Sequence, residues 1–200
     1  MAIKKLIEVW DGSTLIKDNI VFLKQKTKEV QNPKSASLKQ IKKDLLDTYQ
    51  ATPCSGVAAN QIGYTQRMFI GLKEDDDEKK ETETGNPNAD NFEFYINPQI
   101  DNCSKKSSQE GEEGCLSIPE IRLVAERFDK IKVRYFNGDG EKIKKPLSGF
   151  ISILFQHELD HLDGKLMFEN KKIKRVYRIS DNTNIDALYS KLMQELSAFK

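Results

Sequence analysis

His157-Glu158-Leu159-Asp160-His161 contains both histidines of this 200-residue chain. On an α-helix, residues i and i+4 share a face, so the two imidazoles reach one metal ion together. The glutamate after the first histidine lies beside that ion, able to move protons without ligating it. Upstream, Ile151, Ile153, Leu154 and Phe155 make the segment apolar. The pattern predicts a helix from Leu147 to Leu162 that is mostly hydrophobic. A site built on such a helix sits in low dielectric, where charge interactions strengthen.

The third ligand decides the chemistry. One zinc-protease pattern continues H-E-x-x-H-x-x-G-x-x-H; Gly164 matches its glycine, but Met167 stands in place of the third histidine. A second pattern takes a glutamate from a later helix, for which Glu169 is too close and Glu195 far enough. The remaining candidates are the thiols of Cys54, Cys103 and Cys115. Thiolate suits zinc or ferrous iron, and a Cys-His-His set leaves one position open for water. Cys115 lies in Glu113-Gly114-Cys115-Leu116-Ser117, followed by Ile118-Pro119, with Gly111 just upstream. Glycine beside a cysteine lets the backbone approach a bound species closely. Cys103 reads as an incidental thiol in the polar run from Asp101 to Ser108. Cys54 opens a further block, Cys54-Ser55-Gly56-Val57-Ala58-Ala59-Asn60-Gln61-Ile62-Gly63, whose small residues permit close packing. Gln61 offers an amide that can donate to an oxyanion.

Taken together, these blocks resemble peptide deformylase. That family carries G-h-G-h-A-A-x-Q, then E-G-C-L-S, then Q-H-E-x-D-H. Here they read Cys54 to Gln61, Glu113 to Ser117, and Gln156 to His161. The similarity runs from about Leu38 to Phe168 and takes in Ser117-Ile118-Pro119-Glu120, Lys132-Val133-Arg134-Tyr135, and His161-Leu162-Asp163-Gly164. Two departures stand out: Cys54 replaces the first glycine, and Trp10-Asp11-Gly12 occupies the place of amino-terminal prolines.

The resemblance implies hydrolysis of the formyl amide on N-formylmethionyl peptides, with release of formate. It assigns Cys115, His157 and His161 to one divalent metal ion, Fe²⁺ natively, with Zn²⁺, Ni²⁺ or Co²⁺ as alternatives. Glu158 would take a proton from water and deliver one to the leaving amine, while Gln61 and the backbone N–H of Leu116 steady the oxyanion. Ser55 and Gly56 would pair with the peptide backbone, Ile153 would line the methionine pocket, and Glu113 and Arg122 would make outer substrate contacts. Arg127 would hold the Cys115 loop by its charge. A zinc peptidase using Glu195 is the alternative enzyme. A formyl-peptide-binding homologue without activity would be expected to lack Glu158, which is present.

Composition fits a cytoplasmic enzyme. A net charge of +1 gives no global pull toward DNA or anionic lipid. Three unpaired cysteines argue for a reducing compartment. No apolar stretch approaches membrane-spanning length, and the first residues lack a signal-peptide core.

The expected fold is α+β, an antiparallel sheet packed around the central motif helix, in a single catalytic domain over residues 1–200. Ser35 to Tyr49 reads as an amphipathic helix with Leu38, Ile41, Leu45 and Tyr49 on one face. Arg67 to Leu72, Phe92 to Ile96, two segments between Ile121 and Phe136, and Lys142 to Lys145 read as strands. Residues 73–91, with Glu74-Asp75-Asp76-Asp77-Glu78, read as a charged surface loop. After Glu169 come Lys171, Lys172, Lys174, Arg175 and Arg178, then Ile185, Leu188, Leu192, Met193, Leu196 and Phe199 at helical spacing. This predicts a basic, solvated segment and a carboxyl-terminal amphipathic helix; the resemblance adds a ribosome contact there as an alternative role.

Overall fold

The computed structural model describes residues 3–9, 11, 14–75, 85–180, 190 and 194. The architecture is set by period-2 strands that bury both faces. In β2 (Met68–Gly71) and β3 (Glu93–Cys103), Phe69 and Tyr95 point to one side, while Met68, Ile70 and Ile96 point to the other. The strands join β1 (Gly56–Ala58), β6 (Ile131–Phe136) and β7 (Lys142–Leu147) in an antiparallel sheet of order β1-β2-β3-β6-β7. Helix α2 (Lys39–Ala51) covers one face through Ile41, Leu45 and Tyr49. Helix α3 (Gly149–Leu162) covers the other through Ile151, Leu154 and Phe155.

Beyond α3 lies a second antiparallel sheet of order β4-β5-β8, made of β4 (Ser108–Cys115), β5 (Ile118–Phe128) and β8 (Ile173–Arg178). Its apolar face packs with Ile20 and Leu23 of α1 (Lys17–Leu23) and with Leu166, Met167 and Phe168. The α+β class holds, and the motif helix lies between two antiparallel sheets where the sequence reading expected one around it. Among the described residues β1 and β4 are edge strands of their sheets, each with one side of its backbone not paired to a strand.

Two anchors fix α3. Phe69 and Tyr95 stack at 4.4 Å between centroids, and Phe155 meets both edge-on at 5.6 and 5.7 Å. At its carboxyl end, carbonyls left without helical donors find partners elsewhere. Asn60 Nδ2 donates to His161 O at 2.7 Å, and Leu162 O accepts from Thr27 N at 2.9 Å and Thr27 Oγ1 at 2.8 Å. Gly164, at φ +72°, ends the helix where a side chain would meet Lys24 O.

The sequence reading differs from this structure in several places. The helix expected from Ser35 starts with a 3₁₀ turn at Ala36–Leu38, and the strand expected from Ile121 begins at Ile118. Strands β1, β4 and β8 and helix α1 have no counterpart in the sequence reading; the basic segment after Glu169 supplies β8. Residues 85–91 of the charged insertion are not simply surface loop, because Asn86 is fully buried. The carboxyl-terminal helix falls outside the described residues apart from Ser190 and Gln194, both helical. No helix among the described residues is long and apolar enough to cross a membrane.

Candidate metal centre

α3 presents His157 and His161 on one side, their ring centroids 4.9 Å apart. Against them stands Cys115, the last residue of β4, where the strand turns into β5 and the pairing register shifts. One donor atom from each of the three residues falls within 4.8 Å of the others, and all three side chains are buried. Cys115 Sγ is 3.2 Å from His161 Nε2.

A line of charge supports this cluster from behind. His157 Nδ1 lies 2.7 Å from Glu113 Oε2, which leaves Nε2 to face the cluster. Arg127 on β5 grips Glu113 with two hydrogen bonds of 2.7 and 2.9 Å, and its third arm reaches Asp160 at 2.5 Å. Glu113 thus spends both oxygens inside the protein. Although burial opposes ionisation, Arg127 and His157 outweigh it and hold the Glu113 carboxyl at about 2.

The thiol and the free glutamate are perturbed in opposite directions. Burial pushes the Cys115 thiol upward, but the charge of His161 and hydrogen bonds from both histidines bring it down to about 5. The sulfur is therefore a thiolate at neutral pH. Burial raises the Glu158 carboxyl to about 7, and its Oε2 has no hydrogen-bond partner among the described residues. An unpartnered buried oxygen is costly unless something else meets it. His161 Nδ1 is likewise without a partner among the described residues. One thiolate, two imidazoles and a carboxyl held out of coordination fit a catalytic transition-metal site with an open position.

Above the cluster opens a cleft of about 680 Å³, within the range of a small-peptide site. Ser55, Gly56, Glu113, Leu116, Arg122 and Ile153 all line it, together with Cys115, His157 and Glu158. Gln61 sits deeper, behind Cys115. Its Oε1 accepts from Ala58 N at 2.9 Å, and its Nε2 is 3.1 Å from Ser117 Oγ and 3.5 Å from Cys115 Sγ.

Other candidate ligands fall elsewhere. Met167 is buried in the core beside the second sheet, and Glu169 bonds to Lys24 and to Leu166 N. Glu195 is outside the described residues. Cys103 lines a separate hollow with Lys130 and Pro146. Cys54 borders the cleft, but burial pushes its thiol up to about 12, so it stays protonated. Sequence reasoning missed Asn60, which fixes the helix end beneath His161, and Asp160, which completes the Arg127 grip. Asp160 lay inside the motif, but nothing in its spacing named its partner.

A thiolate and two imidazoles at the floor of a peptide-sized cleft belong to the metal-dependent hydrolases. Comparison with known proteins narrows this class. The family model described as polypeptide deformylase matches residues 13–194. The peptide deformylase of Salinibacter ruber is 34% identical over 174 residues, covering 84% of this chain and 87% of the relative. That of Phenylobacterium zucineum is 34% identical over 139 residues, covering 69% of this chain and 76% of the relative. The crystal structure of peptide deformylase from Thermotoga maritima aligns with a TM-score of 0.67 at 28% identity, covering 85% of this chain and 98% of that one. The chain belongs to the polypeptide deformylase family.

Proposed function

We propose that this chain removes the formyl group from N-formylmethionyl polypeptides, with Cys115, His157 and His161 holding one divalent ion and Glu158 moving the protons. The observation that carries the assignment of roles is Glu158 itself. It is a buried carboxyl whose Oε2 has no hydrogen-bond partner among the described residues, beside three potential ligands. A carboxylate within reach of the ion but not ligating it is free to act as a general base. When bound, the ion supplies Lewis acidity, lowering the pKa of water and polarising the formyl oxygen. Glu158 accepts a proton from the attacking water. It then gives a proton to the amine nitrogen as the C–N bond breaks, which yields formate and a free amino terminus.

The surrounding residues orient the reaction. Gln61 is held by its oxygen on Ala58 N, which turns its NH₂ group toward the ligand cluster. With the Leu116 N–H, it donates to the formyl oxygen as negative charge grows there. The substrate lies as an extended strand between the open edges of β1 and β4, presented by Ser55 and Gly56 on one side. Ile153 offers an apolar wall for methionine, accommodated because Gly111 has no side chain to strike it. Arg122 lies against Gly114 at the rim and contacts the peptide further out, whereas Glu113 acts through His157.

Fe²⁺ is the native ion in this reading, because the ligand set accepts it and the family resemblance implies it; Zn²⁺, Ni²⁺ and Co²⁺ suit the same donors. The reaction takes place in the cytoplasm, where new chains emerge and thiols stay reduced. A ribosome contact would use Lys171 and its basic neighbours, although Lys172 is paired with Glu126 and Lys174 lies 4.0 Å from Glu110. The test is Glu158→Gln. It should fold, hold metal and bind a peptide hydroxamate, yet release formate from formyl-Met-Ala-Ser about 10²–10⁴-fold more slowly. Near-normal formate release would overturn the mechanism.

A further inference from the structure

The charged insertion ends in Gly85-Asn86-Pro87-Asn88, and this short segment is built into the molecule. Asn86 is fully buried, with every polar group of its side chain engaged. Its Nδ2 donates to Tyr49 O at 2.9 Å and to Cys54 O at 2.9 Å, while its Oδ1 accepts from Asn88 N at 2.9 Å. Its backbone N–H donates to Gln50 O at 2.9 Å. Tyr49 and Gln50 belong to the last turn of α2, where carbonyls lack helical donors. Asn86 thus closes the end of α2 and ties it to the residue that leads into β1. Gly85, at φ +74°, permits this approach, since a Cβ there would lie 2.2 Å from Gln50 O.

The tie bears on the cleft. Cys54 O is held by Asn86 and Ser55 O by Leu72 N at 2.9 Å, so the approach to β1 is pinned at successive carbonyls. The far edge of β1 remains open toward the cleft, and Pro87 and Asn88 continue the same wall. We propose that Asn86 is a positioning residue for substrate binding. It sets the edge of β1 on which the peptide lies, and Pro87 and Asn88 form the wall met by the residues after methionine. This rests on the deformylase reading of the site.

Formate release from formyl-Met-Ala-Ser and from formyl-Met-amide, measured on the wild type, tests that reading by itself; the comparison between them tests the inference. Asn86→Ala removes the tie, and Asn86→Asp keeps its shape but turns an acceptor toward two carbonyls. Both should raise KM for the tripeptide about tenfold, because a β1 edge no longer held in place must be ordered when the peptide binds. kcat and metal content should stay near wild type, and KM for formyl-Met-amide should move less. Unchanged KM in a folded variant, or an equal loss on both substrates, would overturn the proposal. Should both variants fail to fold, Asn88→Asp decides the matter, because Asn88 is only partly buried. It should raise kcat/KM for peptides with lysine after Met relative to glutamate by about threefold, as a partly exposed charge allows. An unchanged ratio would show that this wall does not meet the substrate.

Discussion

Gly56→Ala should damage catalysis without touching a metal ligand. A Cβ at this position would stand 2.6 Å from Glu158 Oε1 and 2.9 Å from both Glu158 Cδ and Leu154 Cδ1. Retreat of the strand is blocked, because Val57 is fully buried and β1 is paired through its length with β2. The carboxyl group is the part that gives way, by about 0.8 Å to reach ordinary contact. Misplacing a catalytic group by about 1 Å costs about 10²-fold in rate. We therefore expect kcat for formyl-Met-Ala-Ser to fall by roughly 10- to 100-fold, with metal content unchanged and KM altered less. The cause can be isolated by combining substitutions. In a Glu158→Gln background the carboxylate base is already gone, so Gly56→Ala should add less than about threefold. A normal kcat in Gly56→Ala, or full additivity in the double variant, would refute the argument that this glycine exists to seat Glu158.

Cys115→Ala should lose bound metal and formate release together, whereas Cys103→Ala should keep both; retention of full metal by Cys115→Ala, with loss in Glu195→Ala, would instead favour a peptidase-type ligand set. Glu113→Gln leaves Arg127 with Asp160 alone and deprives His157 of its anionic partner, so metal affinity measured by competition with a chelator should fall about 10- to 100-fold. The same substitution should cost about 3 kcal/mol in urea unfolding, because it breaks a buried pair. The metal-free protein should also show the strain of Glu158. Its folded carboxyl is raised by burial from 4.5 to about 7, so it contributes stability that is present below pH 4.5 and lost as pH rises through about 7. Glu158→Gln cannot ionise. It should gain on the wild type between about pH 5 and pH 8 by up to about 3 kcal/mol, and a constant difference in urea midpoints would contradict this.

The parts of the site most legible in the sequence were those where chemistry fixes spacing. A four-residue interval puts two imidazoles on one helical face, and a glycine-flanked cysteine marks a backbone that can come close. The strands nearest the substrate were least legible. β1 has only three residues, Gly-Val-Ala, too few to show a period. β4 reads Ser-Gln-Glu-Gly-Glu-Glu-Gly-Cys, with no apolar alternation, because it is an edge strand held by its pairing with β5. β8 buries only Val176 among lysines and arginines, so composition pointed to a solvated segment. Glu113 was visible as a motif residue, but its two partners, His157 and Arg127, are 44 and 14 residues away. Asn86 was hidden in a stretch whose charge suggested no burial at all.

Residues 54–61 show why the fold and the reaction are difficult to separate. Gly56 clears space for Glu158, Ala58 N holds the oxygen of Gln61, and Asn60 Nδ2 bonds the carbonyl of His161. One short segment thus clears room for the proposed base, contains the proposed oxyanion donor and holds the end of the motif helix. Its leading residue is in turn tied to α2 through Asn86. A displacement of this segment would move several groups of the site together, so its small residues are constrained from both sides: by the α2 layer on one, and by the motif helix on the other. Cys54, at the head of the segment, is one of the two departures from the motif pattern noted in the sequence. Asn86 Nδ2 holds its carbonyl and also meets its sulfur at 3.8 Å, and its side chain borders the cleft without joining the ligand cluster. Cys54→Gly should therefore change KM for a formylated tripeptide more than metal content, and a loss of metal with unchanged KM would contradict this.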